Sequence, residues 1–143
     1  DSGSLTGETY NGSFAYDNAT LTNSGSKAID LSSLSFNFLS TAYNLANADF
    51  TSTADFIDGV FLGVNYSVSS VDPSFALGSG LATGSPTDAY FSYQTLFGDS
   101  GFGSLVFAKV AAVPAPSAVW LFGSALAGLG VINRRKRQHT VIG

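Results

Sequence analysis

The sequence predicts an all-β protein, an antiparallel sandwich or roll of about seven or eight short strands, followed by a C-terminal helix of transmembrane type. Three observations lead there. Aromatic residues make up 13% of the chain and charged residues only 11%, so there is enough bulk for a core and little of the charge that keeps chains disordered. Apolar residues recur at a spacing of two in several windows, the period of a strand with one buried face. No spacing of i, i+3, i+4 persists for three turns within residues 1–110, where an amphipathic helix needs it.

Tyr10, Gly12, Phe14 and Tyr16 alternate within ETYNGSFAYD and share a face of the first strand, and Asp17-Asn18 suits the turn that ends it. In LSSLSFNFL, Leu34, Phe36 and Phe38 point inward, while Ser33, Ser35 and Asn37 point out. GVFLGVNYSVSS forms the next strand. Val60, Leu62, Val64, Tyr66 and Val68 lie on one face, Phe61, Gly63, Asn65 and Ser67 on the other, and Gly63 marks a bulge. Asp72-Pro73 breaks that run. Further strands are expected at 74–77, 88–95 and 103–113, separated by the turn-rich stretches GSGLATGSPT and FGDSGFG.

Charge and reactive groups exclude several functions. Residues 1–133 carry ten acids against Lys27 and Lys109, a net of −8, and Arg134, Arg135, Lys136 and Arg137 add +4, giving −4 overall. An acidic body lacks the clustered cations that neutralise phosphates, so no nucleic-acid partner is expected. The one histidine, His139, sits in the basic tail, which leaves the body without the base of a hydrolase triad. The absence of cysteine removes disulfides and thiolate chemistry. Neither a phosphate loop nor a dinucleotide fingerprint is found. No enzyme activity, no catalytic residue, no metal and no cofactor are therefore expected.

Asp49, Asp55 and Asp58 cluster in NADFTSTADFIDG, and hard cations take carboxylate oxygens. Their spacing departs from the twelve-residue calcium loop, and strand-edge and turn acids bonding the local backbone are the preferred reading. Tyr10, Tyr16, Tyr43, Tyr66, Tyr90 and Tyr93 could stack on sugar rings, but alternating positions favour core packing.

The tail is unlike the rest. VPAPSAVWLFGSALAGLGVINRRKRQ joins two prolines, an apolar run and a basic block. The fifteen uncharged residues from Ala118 to Ile132 would span roughly 22 Å as a helix, short of the roughly 30 Å of a bilayer core. Gly123, Gly128 and Gly130 weaken it further in water. The adjacent cations form the positive-inside arrangement, which holds residues 134–143 in the cytoplasm and leaves 1–113 outside. The sequence starts at Asp1 with no preceding apolar leader. Taken with the tail, this raises the expectation of a removed signal peptide or a fragment boundary.

The order of Val-Pro-x-Pro box, uncharged helix and Arg-rich end resembles a PEP-CTERM sorting signal, in the variant with VPLPA in place of the acidic box. Val113, Pro114, Pro116, Ala118, Trp120, Leu121, Phe122 and Gly123 match that pattern, as do the cations Arg134, Arg135, Lys136 and Arg137. Ala115 departs from the Glu of the main form, and six residues follow the basic block. The resemblance covers 26 of 143 residues. It implies a bacterial exported protein, anchored transiently in the cytoplasmic membrane. A membrane-embedded transpeptidase-like enzyme, the exosortase, would process it between Val113 and Ser117. It also implies a biofilm or floc setting with exopolysaccharide as a partner. The expected organisation is a β-rich extracellular domain at 1–112, the sorting signal at 113–138 and a short tail at 139–143. The expected function is a structural or adhesive surface or matrix protein. The alternative is a secreted carbohydrate-binding module, which a row of exposed tyrosines on one face would favour. A concave site holding two Asp would instead favour a hydrolase.

Overall fold

The computed structural model describes residues 2–109. Within them the chain is antiparallel β throughout, with strands β1 (Asn11–Tyr16), β2 (Ser26–Phe38), β3 (Thr41–Asn44), β4 (Thr53–Ile57), β5 (Val60–Val68), β6 (Ser74–Gly78), β7 (Tyr90–Gln94) and β8 (Ser100–Ser104). The only helical segments among the described residues are four single 3₁₀ turns. The all-β antiparallel expectation is met. The expected helix at 118–132 lies outside the described residues, as does every residue of the sorting signal.

Strand order along the sheet is β1-β2-β4-β5-β6-β7-β8, with β3 also beside β2. The first part of β2 pairs with β4, and its last part lies between β1 and β3. The path curls. In order along the sheet, β2 and β6 are three places apart and β2 and β7 four. A flat sheet would hold them about 14 and 19 Å apart, at about 4.8 Å per step. Yet the ring of Phe38 lies 5.0 Å from Phe75 of β6 and 5.2 Å from Phe91 of β7, and Phe36 lies 5.5 Å from Phe75. The inner face thus closes on itself around an aromatic core that also takes Val64, Tyr66 and Val68 from β5 and Leu77 from β6.

Sequence alternation reads much of this correctly. Leu34, Phe36 and Phe38 are buried and Ser33, Ser35 and Asn37 are exposed. Asp17 caps the turn after β1, its carboxylate accepting the N–H of Ala19 at 2.9 Å. Gly63 does mark a bulge: pairing with β4 jumps from Asp55↔Gly63 to Phe56↔Phe61, leaving Leu62 unopposed. That extra residue corrects the reading of the strand's first positions. A one-residue slip exchanges the faces. Val60 is therefore 55% exposed, whereas Phe61 turns toward the core, its ring 5.6 Å from Phe56 and 5.0 Å from Phe107.

The strand expected at 103–113 is also corrected. Strand β8 runs Ser100–Ser104, through much of the stretch read as a turn, and residues 105–109 are irregular. The glycines there serve close approach. Gly101 pairs with Tyr93, and a Cβ on it would collide with the Tyr93 ring and with the carbonyl of Ser2. Ser2 forms an isolated bridge to Phe102, donating its N–H to the Phe102 carbonyl at 2.9 Å.

Candidate functional site

Val113, Pro114, Pro116, Trp120, Arg134, Arg135, Lys136 and Arg137 lie outside the described residues. Among the described residues, no helix is long and apolar enough to cross a membrane.

The three clustered acids have separate structural tasks. Asp55 on β4 is 2% exposed. It accepts hydrogen bonds from Asn65 Nδ2 at 2.5 Å, Ser79 Oγ at 2.5 Å and Thr53 Oγ1 at 3.1 Å. Asn65 in turn accepts the N–H of Ser79 at 3.1 Å, so the carboxylate ties β4 and β5 to the loop after β6. Burying a carboxylate costs far less when donors surround it. Asp58 sits at φ 51 in the two-residue turn Asp58-Gly59 and accepts the N–H of Gly25 at 2.7 Å. Asp49 accepts from Ser67 Oγ at 2.6 Å, Ser69 Oγ at 2.9 Å and Ser69 N–H at 3.0 Å. Those donors, Ser67 foremost, hold its carboxyl below the usual aspartate range. Among the described residues, no three His, Cys, Asp or Glu side chains gather as a metal site would need.

The tyrosines divide in the same local way. Tyr66 and Tyr93 are buried, and Tyr10, Tyr16 and Tyr43 pack half-buried against the core. Tyr66 donates to the carbonyl of Asn44 at 2.9 Å. Only Tyr90 stands substantially exposed, so the tyrosines do not form a row on an open face.

Among the described residues, two concavities stand out. One is a cleft of about 480 Å³ between β1 and the stretch from Phe102 to Phe107, floored by Phe14, Phe36, Leu77, Phe91 and Phe107. The other is a shallow groove of about 480 Å³ across the outer face of β5, β6, β7 and β8. Each contains one carboxylate, Glu8 in the cleft and Asp49 in the groove, so neither pairs two acids.

Strand register builds the groove. Ser67, Ala76, Ser92 and Phe102 stand side by side across the four strands, and Ser74, Gln94 and Ser100 form the next row. Asp49 is fixed at the Ser67 end of the first row by its three hydrogen bonds. At the other end Phe102 is 59% exposed and Tyr90 43% exposed, their ring centroids 6.3 Å apart. Tyr90 lies so closely over Gly78, its partner on β6, that a Cβ there would strike its ring. The side chains of Ser92, Gln94 and Ser100 make no hydrogen bond within the described residues. The sequence gives no sign of this set, because its members meet only through the register of four strands. Phe102, moreover, falls within a stretch that reads as a turn. Comparison of the chain with protein-family models, with curated proteins and with solved structures finds no match.

Proposed function

We propose that the protein is an exported bacterial surface or extracellular-matrix protein of structural or adhesive kind, delivered by its C-terminal signal. The observation that carries this reading is the tail itself, three unlike elements in order: Pro114 and Pro116, the uncharged run from Ala118 to Ile132, and Arg134, Arg135, Lys136 and Arg137. Each element has a physical task. The prolines keep the junction extended and prevent a helix from running back into the body. An extended junction is what a processing enzyme of exosortase type needs to reach the backbone. The apolar run enters the membrane, and the cations fix its orientation. Its shortness and three glycines make it a transient anchor rather than a durable span. The body is consistent with a non-catalytic role, since Asp49, Asp55 and Asp58 are each committed to hydrogen bonds with neighbouring groups.

The test is membrane fractionation of cells that carry the sorting enzyme. Replacing Arg134, Arg135, Lys136 and Arg137 with neutral residues should reduce membrane retention of the precursor. Pro114→Ala with Pro116→Ala should leave insertion intact and make the unprocessed form accumulate. Normal processing of the double proline variant would overturn the role given to the box.

A further inference from the structure

We infer that the outer face of β5–β8 binds a neutral oligosaccharide, with Phe102 as the stacking ring, Tyr90 beside it at the groove's margin, and Ser92, Gln94, Ser100 and Asp49 as the hydroxyl-binding groups. This goes beyond the sorting reading and does not depend on it.

The face, not an edge, is what the groove offers. Its backbone groups belong to the β5–β6, β6–β7 and β7–β8 ladders, so a ligand there must be recognised by side chains. The centre of the face is kept low by Ala76 and Ser92, and taller groups stand at its ends. From β5 to β8 it measures about 14 Å, at about 4.8 Å per strand step. That is room for a short chain of rings rather than a single small molecule.

The chemistry of the lining selects the ligand. Two hydroxyls and a primary amide stand without protein partners, and each can both donate and accept. Asp49 is an acceptor held in one orientation, with three of its roughly four lone-pair positions already used. Next to them are two exposed aromatic rings. A pyranose presents the matching pair of surfaces, hydroxyls around its rim and a C–H face that packs on an aromatic ring, as aromatic side chains with polar neighbours favour. No Lys or Arg lines the groove, and its one charged group is an acid. Phosphorylated, sulfated or uronic ligands therefore meet no counter-charge. A lipid would find only the two rings at one end.

The test is affinity electrophoresis of the full chain in native gels containing, in turn, a soluble glucan, a galactomannan, a xylan and, as the anionic comparison, alginate. At least one neutral polysaccharide should retard the protein, and alginate should not. Phe102→Ala should weaken that retardation by about tenfold in Kd, the scale of one lost aromatic contact, and Gln94→Ala should weaken it measurably. Both side chains are exposed, so the melting temperature of each variant should stay near that of the parent. Leu96→Ala alters an apolar residue 84% exposed and outside the groove lining, and it should leave retardation unchanged. Retardation by none of the neutral polysaccharides would overturn the inference. So would equal retardation by alginate, or retardation indifferent to both Phe102→Ala and Gln94→Ala. None of these results bears on whether the tail is processed.

Discussion

Phe36 and Phe38 carry the centre of the core, at 6% and 1% exposure. Phe38 is ringed by Tyr10, Phe75 and Phe91 at 4.9, 5.0 and 5.2 Å. Truncating either to Ala removes buried area and leaves a cavity between strands that meet only by curling. Each of Phe36→Ala and Phe38→Ala should therefore cost about 3–5 kcal/mol in urea unfolding. An unchanged midpoint for both would contradict the burial. Tyr66 supplies a pH test. Burial foremost, with Tyr43 and Asp49 nearby, pushes its phenol up from 10.0 to about 12. A raised folded-state value means the unfolded chain ionises first. The stabilisation is complete below the ordinary value of 10.0 and is lost as pH rises through about 12. Stability should therefore fall across that window, and Tyr66→Phe should flatten the fall. The variant should also lose about 1 kcal/mol at neutral pH, because the Asn44 carbonyl loses its donor. Thermal unfolding followed at a series of pH values measures both effects.

Among the elements, Gly63 concentrates the demands on the chain. Its φ of 130 lies where side chains are disfavoured, and a Cβ would come within 3.0 Å of Ser79 Cα and 3.1 Å of Ala89 Cβ. Gly63→Ala should thus cost about 1–3 kcal/mol, read as a lower urea midpoint. A neutral result would mean that the bulge relaxes freely. The same bulge shows where sequence periodicity stops being legible. Leu34, Phe36 and Phe38 alternate without interruption and are read correctly, but Val60 and Phe61 precede the slip and are read on the wrong faces. Strand β3 is silent in the sequence because its hairpin turns through Leu39 and Ser40 at φ 47 and 64, positions where Asn or Gly would ordinarily announce the turn. Strand β4 is silent because Ala54, Asp55 and Phe56 are all buried, so alternation vanishes. The binding face is less legible still. Ser92 and Phe102 become neighbours through the β7–β8 register, which no local pattern encodes.

At the scale of the whole molecule, the chain divides by charge and by composition. An acidic body of curled antiparallel strands buries its aromatics without disulfides, and burial of each large aromatic contributes roughly 1.5–3 kcal/mol. A chain ending at Lys109 should retain a strand-dominated circular dichroism spectrum, and a helix-dominated one would contradict the fold. The basic, apolar tail is the part proposed to carry the address. The claim that it is a transient anchor is tested most directly by the C-terminal peptide of protein recovered from the surface of cells possessing the sorting enzyme, identified by mass spectrometry. A chain ending between Val113 and Ser117, free or joined to another group, is the predicted species; protein found only with residues 118–143 still attached would make the tail a plain anchor and contradict the sorting role.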